Sequence, residues 1–349
     1  MIYTYCWVIN YILLIVAHFS KRKRVAAALS VLVLGAVVVL RGNVGVDMDN
    51  YVYMTAHVAT ANTEPLFALL LTVLNALFPT PLLAVTMGLG SIFVTMLLIY
   101  VRRADARELF ILQAFFIPAL FWGSSISGQR FGLAFTFILL ALQSVRLKQH
   151  KLALALSVIA VFTHYSSVLF IVLVSMMVLE TSLKTCVRFS VLVLVTSSAV
   201  LAIGQSHFKE KYLEYFVGIN HTSPSSLSGL SIITVTGILL LAVSSSSLGQ
   251  VAKARIWLVT VLFLCFSFIV ASVSYGGLRL LQIVEVAVPY AALYLFAKYR
   301  IPFKARFQWF VIFAGLLCAG VTYRDMHWGE LALAPGSTRS LPYTFFWQE

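Results

Sequence analysis
A succession of apolar runs, parted by short basic loops, constrains this chain more than any other feature. The runs fall at about 2–19, 25–40, 65–78, 82–101, 109–127, 131–146, 152–164, 166–180, 189–205, 231–249, 256–273, 280–297 and 307–323. Most hold about 16 to 20 residues, the length at which a helix rising 1.5 Å per residue crosses a hydrocarbon core of about 30 Å. Hydrophobic residues make up 61% of the 349 positions and charged residues 11%, against roughly 25% charged in a soluble domain. No aqueous fold buries that much apolar surface, so lipid is the expected solvent. The pattern predicts an all-α polytopic integral membrane protein with about twelve transmembrane helices. The run at 65–78 is too short to cross. Glu64-Pro65 and Pro79-Thr80-Pro81 bound it, and a re-entrant or interfacial helix is expected there. One transmembrane domain over 1–349 leaves no room for another folded domain.

A formal charge of +13 raises the question of a nucleic-acid partner, but the placement of the charge answers it. Lys21 to Arg24, Arg102, Arg103, Arg107, Arg146, Lys148, Lys151, Lys184, Arg188, Lys253, Arg255, Lys298, Arg300, Lys304 and Arg306 all fall in loops that alternate spans bring to one side. By the positive-inside rule that side is cytoplasmic; no nucleic acid is implied. Arg41, Arg130, Lys209, Lys211, Arg279, Arg324 and Arg339 remain for the other side, with both termini outward. Outward loops are then expected at about 41–64, 123–130, 206–230, 274–279 and 324–349. The same rule breaks the stretch 152–180 into a hairpin turning at His164-Tyr165-Ser166-Ser167, because basic clusters flank both of its ends. At the start of the chain the charges follow the first apolar run, which reads as a first span rather than a cleaved secretory signal. Cys6, Cys186, Cys265 and Cys318 are scattered singly, without the spacing of a disulfide framework or metal site.

An ionisable side chain at membrane depth is costly and marks a functional site by default. The unusual ones collect on the expected outer face. Arg41, Asp47, Tyr51 and Glu64 lie in the first outer loop, Gln129 and Arg130 follow Gly123-Ser124-Ser125-Ile126-Ser127-Gly128, and His164 sits at the hairpin tip. Tyr275 and Arg279 occupy a later loop, with Glu285 inside the following span. Arginine holds phosphate oxygens with a planar fork and stays charged when partly desolvated. Arg130, Arg279 and Arg41 are therefore candidates for binding a polyanion, with His164, Asp47 and Glu64 as candidates for proton transfer. Structural readings stand beside these. Arg130 snorkels or meets a carbonyl, His164 caps a turn, and Glu285 forms an ion pair. Asp47-Met48-Asp49 matches the short DxD pattern of metal-using glycosyltransferases, and Asn220-His221-Thr222 a glycosylation sequon; patterns of three residues arise easily by chance, and no metal is expected. Tyr51, Gln129 and Tyr275 are candidates for contacting substrate, and Trp122 and the two tyrosines either stack on sugars or anchor at the interface.

Arg41-Gly42, Val44-Gly45-Val46-Asp47, Asn50-Tyr51, Glu64-Pro65-Leu66-Phe67, Gln129-Arg130, Phe162-Thr163-His164-Tyr165-Ser166-Ser167 and the closing Leu341-Pro342-Tyr343, in that order, resemble the EpsG-like, Wzy-type polymerases of exopolysaccharide, capsule and O-antigen. The resemblance spans nearly the whole chain. Val46 stands where the family often has Thr, and Asp49 falls where the family varies. The resemblance implies a GT-C-like membrane glycosyltransferase of the bacterial cytoplasmic membrane, active face outward. It would join repeat units carried on undecaprenyl diphosphate, with lipid diphosphate as the leaving group and no cofactor. Its partners would be that lipid-linked glycan, the bilayer, and possible chain-length regulator and flippase proteins of the same pathway. Two rival readings remain, a ligase resembling O-antigen ligase and a transporter or flippase of lipid-linked sugars. No internal repeat supports the transporter.

Overall fold
In the computed structural model, residues 2–20, 22–59, 61, 63–207, 229–271, 275–328, 341 and 343–348 are described; among residues 196–207, and at 275, 276 and 328, this holds for the backbone alone. Helix accounts for 84%, and no strand occurs among the described residues, which makes the fold all-α. The helices in chain order are α1 (Ile2–Phe19), α2 (Lys23–Val39), α3 (Met48–Ala56), α4 (Pro65–Leu77), α5 (Pro81–Arg103), α6 (Ala106–Ser127), α7 (Gln129–Arg146), α8 (His150–Thr163), α9 (Ser167–Val178), α10 (Leu183–His207), α11 (Leu230–Ser245), α12 (Gln250–Ala271), α13 (Tyr275–Lys298) and α14 (Ala305–Trp328). Each apolar run expected from the sequence thus appears as a helix, and α8 and α9 meet at a turn over His164–Ser166.

Six of these helices are long and apolar enough to cross a membrane: α1, α5, α6, α12, Gly277–Lys298 within α13, and Ala305–His327 within α14. The others are shorter or more polar. At 13 residues, α4 reaches only about 20 Å. Residues 275–279, expected in a loop, instead form the first turn of α13, because nothing in Tyr275-Gly276-Gly277-Leu278-Arg279 forbids helical backbone. The expected outward loop at 206–230 falls largely outside the described residues, as does the sequon at Asn220.

The chain divides into two compact units, one of residues 1–168 and 315–349, the other of residues 169–314. In the first, α6 is central, with 83% of its apolar window buried against 33% for α1. Polar bonds tie its middle to two neighbours: Asn10 Nδ2 donates to the Gln113 carbonyl at 2.8 Å, and Gln113 Nε2 donates to Ser30 Oγ at 3.0 Å. Such bonds hold helices together where lipid offers no hydrophobic drive between them. At the basic end Asp105 caps α6 in a capping box with Glu108, and Arg146 of α7 pairs with Glu108 at 2.8 Å. In the second unit α13 is central, with 78% of its window buried, and α12 and α11 pack on it.

Three π-helical stretches, Ala84–Leu89, Leu112–Phe116 and Gly123–Ser127, interrupt α5 and α6. The last matters for the site. The Gly128 N–H reaches the Gly123 carbonyl at 2.6 Å, and the widened turn turns the chain into α7 at Gln129 and Arg130. π-Bulges of this kind cluster at functional sites. Across from that turn, the loop after α2 passes through Gly45 at φ +134°, where an added Cβ would lie 2.8 Å from the Ile126 carbonyl oxygen. Gly45→Ala should therefore cost about 1–3 kcal/mol and lower the thermal unfolding midpoint of the purified protein. Gly123→Ala, where an added Cβ meets nothing within 4 Å, should leave the midpoint close to wild type.

Candidate functional site
Glu64 is the residue on which the site is built. Pro65 opens α4, and the residue before a proline is driven to extended backbone; Glu64 accordingly has φ −61° and ψ 140°. That conformation turns its carboxylate away from its own helix and toward two others. Oε2 accepts from Arg130 Nη1 at 3.0 Å, in the first turn of α7, and Oε1 meets His164 Nδ1 at 2.9 Å, at the end of α8. Thr63 Oγ1 donates to Glu64 Oε2 at 3.0 Å. The carboxylate is 8% exposed, with Arg130 at 18% and His164 at 19%. Burial opposes its ionisation, but the hydrogen bond from His164 and the charge of Arg130 outweigh burial and hold its pKa down at about 2.

The geometry also fixes which imidazole nitrogen carries the proton. An ionised carboxylate only accepts hydrogen bonds, so Nδ1 is the donor and the neutral ring keeps its lone pair on Nε2. Among the described residues nothing engages Nε2. A neutral imidazole held in this way can accept a proton at Nε2.

Arg130 is held from below as well. Its guanidinium carbon lies 5.9 Å from the ring centroids of both Tyr51 and Phe67, and its backbone N–H donates to the Tyr51 hydroxyl at 3.3 Å. Tyr51 is 3% exposed, so its ring supports Arg130 instead of lying open for a sugar to stack on. Burial pushes the phenol pKa of Tyr51 up, while Arg130 draws it back.

Arg41 is fully buried. Nη1 donates to the Val38 carbonyl at 2.7 Å, while Nε and Nη2 have no partner among the described residues. Burial lowers its pKa to about 10, against the opposing influence of Tyr3, Tyr343 and Tyr51, so it remains a cation at neutral pH. The chain's far end covers it: Gly42 N–H donates to the Thr344 carbonyl at 2.9 Å, Phe346 N–H to the Leu40 carbonyl at 3.1 Å, and Tyr343 Oη to the Val37 carbonyl at 2.6 Å. Gln129 is 3% exposed and neither side-chain amide atom is partnered among the described residues; Arg130 Nε and Trp122 Nε1 share that condition. Trp122 packs edge-on against Tyr3 at 4.9 Å between ring centroids, buried in place of the sugar contact weighed for it.

A model of the EpsG family matches residues 24–345. The chain belongs to the EpsG family. No curated protein and no solved structure matches it. As an EpsG-family protein it is a polysaccharide-polymerase-like membrane protein with glycosyltransferase-like activity.

Of the residues singled out from the sequence, the first unit of this EpsG-family chain brings Glu64, His164, Arg130 and Tyr51 into one bonded cluster. Arg41 and Asp47 act electrostatically on the same Tyr51. Asp47 is half-buried just before α3, and Tyr51 N–H bonds its carbonyl at 3.0 Å. Arg279 and Tyr275 belong to the other unit. Arg279 is exposed in the first turn of α13, the Tyr275 side chain lies outside the described residues, and Glu285 is 5% exposed further along α13. Thr63 and the edge-on ring of Phe131, 6.2 Å from His164, were not singled out, and Phe67 stood only as part of the Glu64-Pro65-Leu66-Phe67 motif. An uncharged neighbour carries no signal of its own in a chain this apolar, although Thr63 and Phe67 adjoin the Glu64-Pro65 signal.

The Glu64 linkage has a defined sign. A carboxyl whose pKa is lowered by folding from 4.5 to about 2 stabilises the fold fully above pH 4.5, and loses that contribution as pH falls toward 2. Glu64→Gln leaves Arg130 without its counter-ion, a loss of about 3–5 kcal/mol for a buried pair. Its stability deficit against wild type should shrink as pH falls below 4.5, read from unfolding midpoints in a pH series.

Proposed function
We propose that this EpsG-family protein joins oligosaccharide repeat units carried on undecaprenyl diphosphate, at the outer face of a bacterial cytoplasmic membrane. Its Arg130 and Arg41 would bind diphosphate, and His164 would accept the proton of the attacking hydroxyl. One observation carries the reading. Both arginines are tied through Nη1, to Glu64 and Thr63 in one case and Val38 in the other, and the Arg130 side chain also bonds Tyr51. Nε and Nη2 of Arg41, the side that grips two oxygens at once, and Nε of Arg130 are buried without a partner among the described residues. Tyr51 interacts with each.

A guanidinium buried with unsatisfied donors is costly, and a phosphate is the ligand that repays both charge and geometry. In the reaction the hydroxyl oxygen of the acceptor unit forms a bond to C1 of the donor sugar, while the bond from C1 to the diphosphate oxygen breaks. The hydroxyl proton passes to His164 Nε2. The electron pair of the broken bond stays on the lipid diphosphate, whose growing negative charge faces the fixed guanidinium edges. Glu64 is too weak a base for the proton; with a pKa near 2 its part is to hold the imidazole in one tautomer and to fix Arg130. Gln129, with a donor and an acceptor both unpartnered among the described residues, stands as a ligand to the sugar. Asp47 is left as a second candidate for orienting the acceptor.

The test is polymerisation by the purified protein in liposomes supplied with its lipid-diphosphate repeat unit and no nucleotide. Arg130→Lys and Arg41→Lys keep the charge but lose the two-oxygen edge, and each should slow the ladder by on the order of 100- to 1,000-fold. His164→Ala should slow it by on the order of 100- to 10,000-fold. Wild-type rates in both lysine variants would overturn the clamp. Wild-type protein that moves the lipid between leaflets without building a ladder would overturn the polymerase in favour of a transporter.

A further inference from the structure
The basic end of the second unit carries a feature that glycosyl transfer does not use. A groove of about 650 Å³ is lined by Ser245, the last residue of α11, and by Arg306, Trp309, Phe310 and Phe313 of α14. That volume lies within the ~300–1,000 Å³ of small-molecule sites. The four α14 residues recur at i, i+3, i+4 and i+7, which places them on one face. They run for about 10 Å along the helix, from a guanidinium at its start to a phenyl ring. Trp309 is 69% exposed and Phe313 56%, in a helix with an apolar window long enough to cross a membrane.

The neighbouring cations are committed elsewhere. Lys298 pairs with Glu180 at 2.8 Å, Lys253 donates to the Ser244 carbonyl at 2.9 Å, and Arg255 is buried and donates to the Thr181 carbonyl at 3.0 Å. Arg306 is exposed at the groove and makes no hydrogen bond or ion pair among the described residues. Lys304 and Arg300, both exposed nearby in sequence, add to the positive field.

We infer that this groove is a binding site for one anionic glycerophospholipid of the cytoplasmic leaflet. Its phosphodiester sits on Arg306 and one acyl chain lies over Trp309, Phe310 and Phe313. The chemistry of the lining selects that occupant. The guanidinium fork matches phosphate oxygens, the indole suits the boundary between headgroup and chain, and the rings beyond it offer only apolar surface. The surplus of positive charge at this end favours a net-negative headgroup over a zwitterionic one, and the positive-inside rule puts this end in the leaflet that faces the cytoplasm.

Bromine on an acyl chain quenches tryptophan on contact, so the full-length protein would be placed in nanodiscs containing graded amounts of brominated phosphatidylglycerol or brominated phosphatidylcholine. Trp309 is isolated by subtracting the Trp309→Phe signal. Half-maximal quenching of Trp309 is expected at about five-fold less brominated phosphatidylglycerol than phosphatidylcholine, the ratio one basic contact with an anionic leaflet supports. Arg306→Gln should abolish that preference while leaving quenching by phosphatidylcholine and the unfolding midpoint unchanged. Equal quenching by the two lipids in wild type, or a preference that survives Arg306→Gln, would overturn the site. Relief of quenching by millimolar glycerophosphate would overturn it too, in favour of a site for free phosphate.

Discussion

The Glu64 carboxylate, held between the Arg130 guanidinium and the His164 imidazole, is the interaction on which the rest of the candidate site depends. It joins the start of α4, the start of α7 and the end of α8, elements separated by 66 and 100 residues in sequence. A charge this deeply placed is tolerable only while its partners stay. The three residues therefore specify each other's positions. The carboxylate fixes the imidazole tautomer and anchors Nη1 of the guanidinium, while Nε of the same group is buried without a partner among the described residues. Each of these consequences is local chemistry, but none exists until the three helix ends are packed together.

A second constraint is a set of unsatisfied polar atoms in the same unit. Nε and Nη2 of Arg41, Nε of Arg130, both amide atoms of Gln129 and Nε1 of Trp122 are buried without partners among the described residues. Buried polar groups are normally satisfied. In the proposed function these exceptions are the donors and acceptors offered to an anionic substrate, and other bonds hold their side chains in place. Tyr51 and Phe67 hold Arg130 from one side, and the segment at 343–346 covers Arg41 from another. Rigid support of this sort is what transition-state stabilisation by fixed donors requires.

The helices were legible in the sequence because their signal is local. Apolar runs of sufficient length fold as helices in lipid whatever their neighbours do, and basic residues after α1, α5 and α7 marked the loops between them. The turn at His164 was legible for the same reason, since the charge pattern at 146–151 and 184–188 requires a reversal between them. Where the sequence reading differed from the structure, tertiary packing had decided. Tyr51 looked like an interface or sugar-contacting aromatic, and it is buried beneath Arg130. Glu64 looked like a candidate base, and in the structure it bridges Arg130 and His164, which hold its pKa down. The π-helical turn at Gly123–Ser127 leaves no trace in residue type, because it is a choice of hydrogen-bond register within a segment helical either way.

The amino-acid sequence by itself determined that the chain is helical, that it belongs in a membrane, and that its rare ionisable residues gather near a few helix ends, because cost in lipid acts on each residue separately. Only the tertiary structure decided which of those residues meet. Pairing Glu64 with His164 and Arg130, and leaving guanidinium nitrogens of Arg41 and Arg130 buried without partners among the described residues, depends on distances between segments far apart in the chain. Those distances are set by how helices pack, which no local pattern records.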